Sequence, residues 1–394
     1  MEGSHPLQGI TVVALEQAVA APFATRQLAD LGARVIKLER RDGGDFARAY
    51  DGSVKGLSAH FVWLNRSKQS LTVDLKHSAA QDIIQRLLPR ADVFIQNLAP
   101  GAADRLGLSA STLREKDPGL IVCNISGYGT SGPYASKKAY DLLVQSEVGV
   151  VSITGTNEVP CRVGISIADI AAGMYAYSAV LTALFHRRTT GAGTTIEISL
   201  FDALAEWMGF PIFHTAHTGR ELRRSGPNHV SIAPYGPFRG ADGHVYLAIQ
   251  NAREWSRFCR DVLGRQDVED DERFRTNELR VQNREALRAL IEGVFHTLPS
   301  EEIAAKLEAA QIAHARMNSV GEFLEHPQLT ARNRWMEIGS EAGPLRALPP
   351  PVSMEGVDPV MGDVPSLGQH TEAILDELGF ARDVVANWKR EQVV

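Results

Sequence analysis

The chain is poor in cysteine: Cys123, Cys161 and Cys259 are the only three in 394 residues, far apart and in no CxxC or zinc-ligand spacing. That excludes a disulfide-stapled secreted scaffold and a thiolate metal site, points to a reducing compartment, and leaves the three as buried filler. An excess of positive charge is lacking as well. The formal net charge of −6 argues against coating nucleic acid or an anionic membrane, so any anionic ligand must be met by a local site. No run reaches the roughly 18 apolar residues of a membrane span, and the start MEGSHPLQG has neither a basic nor an apolar leader region. A cytoplasmic protein without nucleic-acid or membrane partners is expected. One fingerprint is missing too: the first strand runs into EQAVAAP where a dinucleotide site needs G-x-G-x-x-G. That spacing does occur at Gly127, Gly129 and Gly132, but Pro133 and a polar loop follow in place of a phosphate-facing helix. No NAD site is read there.

What is present is ordinary globular composition, 44% apolar and 22% charged, over a length that suits two domains. GITVVALE (9–16), PFATRQLADLG (22–32) and ARVIKLE (33–39) read as strand, helix and strand. The alternation continues through SLTVDL (70–75), SAAQDIIQRLLPR (78–90), ADVFIQNL (91–98), a helical SASTLREKDPG (109–119) and LIVCNIS (120–126). Such a pattern predicts an α/β fold, a Rossmann-like, doubly wound parallel sheet. A further strand (194–199) and a helix close this half. Past residue 220 the pattern becomes a hairpin over GADGHVYLAIQ (240–250), turning at Asp242-Gly243, and then mostly helices, a smaller α+β domain. GPLRALPPPVSMEG (343–356) reads as a Pro-rich connector, and SLGQHTEAILDELG (366–379) as a helix packing back on the first domain.

Within CRVGISIADIAAGMYAYSAVLTALFHRR (161–188), Asp169 is the one carboxylate in a long stretch of apolar and small residues. The pattern from Ile170 onward predicts a buried helix with Asp169 at its N-cap and Arg187 and Arg188 in its last turn. Two readings stand side by side. Asp169 is a capping residue that satisfies free backbone N–H groups, or it is a carboxylate in a dry setting available as a nucleophile. Basic residues cluster after strand ends, at Arg40, Arg41, Lys76, Arg105, Lys137 and Lys138. A polyphosphate ligand at that edge of a parallel sheet needs several cations on separate loops.

Taken together these stretches resemble the class III CoA-transferase family, which includes formyl-CoA, carnitine and dicarboxylate-specific CoA-transferases and has the α-methylacyl-CoA racemases as relatives. The likeness runs end to end through PLQGITVVALE, AAPFATRQLADLGARVIKLERRDGGD, LNRSKQSLTVDLK, ADVFIQNLAPGAADRLGL, SGYGTSGPYASKKAYD, GISIADIAAGMYA, TTGAGTTIEISLFDA, NHVSIAPYGPF and SLGQHTEAIL. It implies that Asp169 is the catalytic nucleophile. It implies CoA contacts at Arg40 and Arg41, at Val73, Asp74, Leu75 and Lys76, at Asn97, Leu98 and Ala99, at Arg105, and at Lys138, Ala139, Tyr140 and Asp141. It further implies an interlocked homodimer, and a large CoA-binding domain split over 1–205 and 335–394 around a small domain at 220–330, with linkers at 206–219 and 331–356.

The activity implied is movement of CoA from an acyl-CoA to a carboxylic acid through an aspartyl anhydride and an aspartyl-CoA thioester. No metal and no tightly bound cofactor are called for, only the CoA thioester as substrate. The segment PNHVSIAPYGPF (227–238) resembles members acting on succinyl-CoA and short dicarboxylic acids, and offers Asn228, His229, Ser231 and Tyr235 as substrate contacts. Arg48 is a candidate for a second carboxylate, since guanidinium binds carboxylate in a bidentate fork. Two alternatives remain open. One is a racemase, although Tyr140 stands where those relatives carry a His; the other is a non-catalytic CoA-binding protein.

Overall fold

The computed structural model describes residues 5–394; residues 1–4, part of the start read above as lacking a leader, lie outside the described residues. The chain divides into two compact units, one made of residues up to Val148 with Gly164–Gly209 and Leu329–Val394, the other of Gly149–Val163 with Phe210–Gln328.

The first unit is built on a six-stranded sheet of β1 (Thr11–Leu15), β2 (Arg34–Glu39), β3 (Lys68–Thr72), β4 (Val93–Gln96), β5 (Ile121–Ser126) and β6 (Thr195–Ser199). Every neighbour pair is parallel and the order is β3-β2-β1-β4-β5-β6. Val12 lies between Val35 of β2 and Val93 of β4, so the winding reverses direction on either side of β1. The crevice beyond the carboxyl ends of β1 and β4 is therefore the place where such a sheet receives a ligand. The strands are shorter than their apolar runs because the flanking residues, such as Glu16 and Asn97, turn away into loops that carry polar contacts.

Strand residues alternate between two layers, as the period of an extended chain requires. Val13, Leu15, Ile36, Leu38, Phe94 and Val122 join one core with Ile83, Ile84 and Leu87 of helix α2 (Ala80–Leu87), Leu113 of α3 (Ala110–Lys116), and Ile374, Leu375 and Trp388 from the last helices. The segment expected to return to the first domain does so: His370 and Thr371 bond Ser70 and Thr72 of β3. The opposite layer holds α1 (Ala20–Asp30) and, after α4 (Asp141–Glu147), the long α5 (Ile167–Thr190); α6 (Leu200–Trp207) follows β6. At 24 residues and mostly apolar, α5 has the length and composition of a membrane span, which the reading of apolar runs had set aside. In this fold α1 packs along it, and Ala168, Ala171, Ala172, Gly173, Ala176 and Val180 are buried.

That packing depends on small side chains. A Cβ at Gly173 would stand 2.6 Å from the carbonyl oxygen of Ala20 and 3.1 Å from Phe23. The first turns of α1 and α5 thus touch almost backbone to backbone.

In the second unit β7 (Tyr235–Arg239), β8 (His244–Ala248) and β9 (Ala313–Arg316) form an antiparallel sheet around the 240–243 turn, over a core of Phe238, Val245, Trp255, Phe258, Phe274 and Phe295. Three stretches differ from expectation. Residues 149–163, read as part of an unbroken 1–205, pack in the second unit, where Arg224 donates to the carbonyls of Ser152, Thr156 and Asn157. The linker at 206–219 is mostly helix (Gly209–Thr218), and that at 331–356 contains a two-stranded ladder, Met336–Ile338 on Leu345–Ala347. Cys161 is exposed rather than buried filler, while Cys123 and Cys259 are buried.

Gly173→Ala should lower the stability of the first unit by about 1–3 kcal/mol, the usual cost of overpacking, despite the gain in helix propensity. Denaturant unfolding followed by circular dichroism measures it, and an unchanged midpoint would contradict the close approach.

Candidate active site

Asp169 is the third residue of α5, which starts at Ile167, three residues before the expected start; it is therefore not the N-cap. The N-cap, Ser166, makes no side-chain capping bond. The cap comes from elsewhere in the chain: Oδ1 of Asp141, at the start of α4, accepts from the amides of Ala168 at 2.8 Å and Asp169 at 3.4 Å. Its Oδ2 accepts from the buried Gln145 Nε2 at 2.6 Å. With the capping task met by Asp141, the Asp169 carboxylate does not serve as the cap. Burial first, and the neighbouring Asp141 charge second, push its pKa from the usual 3.8 up to about 7.

Gly127 explains how Asp141 reaches that place. A Cβ there would lie 2.2 Å from the Ala139 Cβ, so only glycine lets the 138–141 loop settle against the end of β5. The G-x-G-x-x-G spacing thus serves loop packing and a turn at Gly129 and Gly132, both at positive φ.

Because all six strands are parallel, the loops after β2, β3, β4 and β5 leave one edge of the sheet. That edge brings Arg40 and Arg41, Val73 to Lys76, Asn97 to Ala99, and the 138–141 loop to the same side. Lys76, Arg105 and Lys138 are exposed. Arg40 holds the carbonyl of Gly44 through Nε and Nη2. Between the loops after β4 and β5 lies a cavity of about 370 Å³, lined by Gln96, Leu98, Ala99, Ser126, Gly129 and Thr130 among others. Two of the expected contacts have other employment. The Val73 side chain is in the core and its N–H donates to the Glu39 carbonyl, and Asn97 holds Gln17 by both amide and carbonyl.

Arg48, the candidate for a second substrate carboxylate, is engaged within the protein. Its Nε and Nη2 bind the two oxygens of Glu39 at 2.9 and 2.8 Å, its Nη groups reach the Pro365 carbonyl, and its plane lies 3.7 Å over the Phe61 ring. Burial would raise Glu39; Arg48, Lys37 and Ser70 overcome it and hold the acid at about 2. This guanidinium already spends its bidentate fork on Glu39. Asn228, His229, Ser231 and Tyr235 lie together in the second unit. His229 stacks on Tyr235 at 5.1 Å and its Nδ1 accepts from the Ser231 amide, but Asn228 has its amide group occupied by Arg288 and Ser225.

Tyr50 was missed in the sequence. Burial raises its phenol to about 12, followed by the charges of Asp45, Asp169 and Tyr140, so it sits within electrostatic reach of Asp169. Its place at the end of GGDFARAY was the available signal.

The raised pKa of Asp169 gives a sign to the pH dependence. The native state keeps a proton that the unfolded chain loses near its ordinary 3.8, so this group lowers stability as pH rises from there to about 7. Asp169→Asn should therefore be more stable than the parent at pH 8 by a few kcal/mol, with the gap closing toward pH 4. Acylation of the parent should speed up as pH rises through about 7. Equilibrium unfolding and adduct formation measured across pH test both; a flat profile in each would remove Asp169 from this role.

The profile of CoA-transferase family III matches residues 7–371. The chain is 34% identical to the succinate–glutarate CoA-transferase of Agrobacterium fabrum over 386 residues, covering 95% of this chain and 96% of that protein. It is 32% identical to the succinyl-CoA:glutarate CoA-transferase of Mus musculus over 389 residues, with 96% and 87% covered. Among solved structures, a CAIB/BAIF family protein from Brucella suis superposes with a TM-score of 0.84 at 32% identity, covering 95% of this chain and all of that one. The chain belongs to CoA-transferase family III and is a CoA-transferase.

Proposed function

We propose that this enzyme moves CoA from succinyl-CoA, or a similar dicarboxylyl-CoA, to a short dicarboxylic acid of the size of glutarate, with Asp169 as nucleophile. The observation that carries the reading is a half-buried carboxylate at a helix start whose capping task another residue performs. The glutarate-acting relatives support the substrate class. An Asp169 oxygen attacks the thioester carbonyl; the C–S bond breaks and CoA leaves as thiolate. The thiolate then attacks the aspartyl carbonyl carbon of the mixed anhydride, releasing the donor acid and leaving an aspartyl-CoA thioester. The acceptor carboxylate runs the same steps in reverse. Holding these groups together supplies effective molarities on the order of 10⁵ M or more, which a free carboxylate and thioester lack. Arg40, Arg41, Lys76, Arg105 and Lys138 are the cations that would meet CoA phosphates. With Arg48 engaged by Glu39, His229, Ser231 and Tyr235 remain the candidates for contacting the acid.

Asp169→Ala should lose transfer by about three orders of magnitude or more while still binding CoA. Digestion of the parent after incubation with succinyl-CoA, followed by hydroxylamine, should yield a hydroxamate on the Asp169 peptide. A panel of acceptor acids read by mass spectrometry decides the class, and formate or carnitine outcompeting every dicarboxylate would reverse it. Uptake of α-deuterium from D₂O into a 2-methylacyl-CoA would instead place the chain with the racemases.

The enzyme is further proposed to act as a homodimer. Met174, Tyr175, Phe185 and Trp207 on α5 and α6 are exposed, Phe185 by 72%, beside a groove of about 870 Å³ between α5 and β6. So much apolar surface on a water-soluble enzyme calls for cover, and a second copy supplies it. Phe185→Glu should shift the protein to a monomer in light-scattering chromatography; a parent that runs as a monomer would refute the assembly.

A further inference from the structure

The turn between β1 and α1 is held in a conformation that its own sequence does not favour. Ala18 has φ of 60°, in the left-handed region. For a residue with a Cβ this conformation is strained, and such strain persists only where surrounding contacts over-determine it. Here they do. The Ala18 N–H donates to Asp45 Oδ1 at 3.0 Å, and the same oxygen accepts from the Ala47 amide at 2.9 Å. Oδ2 of Asp45 takes the Lys37 ammonium at 2.8 Å, and both side chains are 0% exposed. Lys37 in turn lies 3.2 Å from Glu16 Oε1. On the other flank Asn97 grips Gln17, accepting from its N–H at 2.8 Å and donating to its carbonyl at 2.9 Å. Two successive residues are thus clamped from the β2 side and the β4 side of the crevice.

A fully buried ion pair is a weak source of stability, since well-packed apolar residues often serve as well. The direction of this one is informative. It acts on the residue that sets the path into α1, and the carbonyl of Ala20 at the start of α1 is the atom against which Gly173 of α5 closes, one turn beyond Asp169. Tyr50, which follows the short turn Phe46–Ala49 capped by Asp45, feels the charges of both Asp45 and Asp169.

We propose that Asp45 and Lys37 are positioning residues for the reaction at Asp169: the pair holds Ala18 in its left-handed conformation and so fixes the β1–α1 turn against the first turns of α5. The proposal rests on Asp169 being the nucleophile. Asp45→Asn tests it, because an amide in either orientation sets N–H groups against Lys37 or against the Ala18 and Ala47 amides. With succinyl-CoA and glutarate, kcat should fall about tenfold or more while KM for the acyl-CoA stays within about twofold, since the cations after the strand ends are untouched. Ala18→Gly added to Asp45→Asn should restore most of kcat, because glycine adopts the left-handed conformation without a clamp. A merely structural pair would lower the melting temperature and give neither the kcat-selective loss nor the rescue.

An unchanged kcat in Asp45→Asn, or no recovery in the folded double variant, overturns the proposal. Should Asp45→Asn not fold, Ala18→Val decides, as it leaves every buried charge in place and disfavours the conformation: a kcat-selective loss supports the proposal and a retained kcat overturns it. Mass spectrometry of Asp169 after incubation with succinyl-CoA separates the two levels. No adduct on the parent defeats the nucleophile assignment; equal acylation rates in parent and Asp45→Asn defeat only the positioning role.

Discussion

Four charges are sealed beneath the carboxyl ends of the central strands, and the loops above them have little freedom as a result. Glu16, Lys37, Asp45 and Lys68 are 0–3% exposed, and desolvating each would cost several kcal/mol were it left alone. Their arrangement offsets that cost through specific contacts. Lys37 lies between Glu16 and Asp45; burial would lower its pKa, and Glu16, Asp45 and Glu39 outweigh burial and raise it to about 12. Lys68 bonds Glu16, Asn65 and the Pro22 carbonyl, yet burial prevails over Glu16 there and it falls to about 8. The Thr25 hydroxyl completes Glu16 at 2.6 Å. Because a displaced partner would leave an uncompensated charge in a dry interior, β1, β2, β3 and α1 are locked together at the crevice.

A second layer, Glu39 with Arg48 and Ser70, ties this region to the returning segment. Ser70 Oγ donates to Glu39 at 2.6 Å and accepts from the Gly368 amide at 2.9 Å. The chain near its end is thereby joined to the loop that carries Arg40 and Arg41. Opposite, Asp169 sits under a different constraint: small residues let α5 close on α1, and Asp141 reaches in past Gly127 to cap α5. Burial and the neighbouring Asp141 charge favour the protonated form of the Asp169 carboxylate and raise its pKa to about 7.

Much of this was legible in the residues themselves. Alternating strand and helix patterns gave the parallel sheet, and Asp169 stood out as a lone carboxylate in an apolar stretch. The fold-independent parts of the reading were wrong where a partner lay far along the chain. Nothing local distinguishes Asp169 as an N-cap from Asp169 as a third helical residue, because the acceptor that moves the helix start is 28 residues away. Arg48 looked free for the same reason: Glu39 and the Pro365 carbonyl are 9 and 317 residues distant.

The amino-acid sequence by itself determined the class of fold, the family and the candidate nucleophile, since periodicity, turn residues and collinear motifs are properties of neighbouring positions. Only the tertiary structure decided which polar groups remain available. Arg48, Asn97 and Asn228 are consumed inside the protein, Asp141 takes over the cap, and Ala18 is held at positive φ. The physical reason is that hydrogen bonding and burial are allotted in three dimensions: a side chain's chemistry depends on what has already satisfied it, and those partners come from segments that the linear order keeps apart.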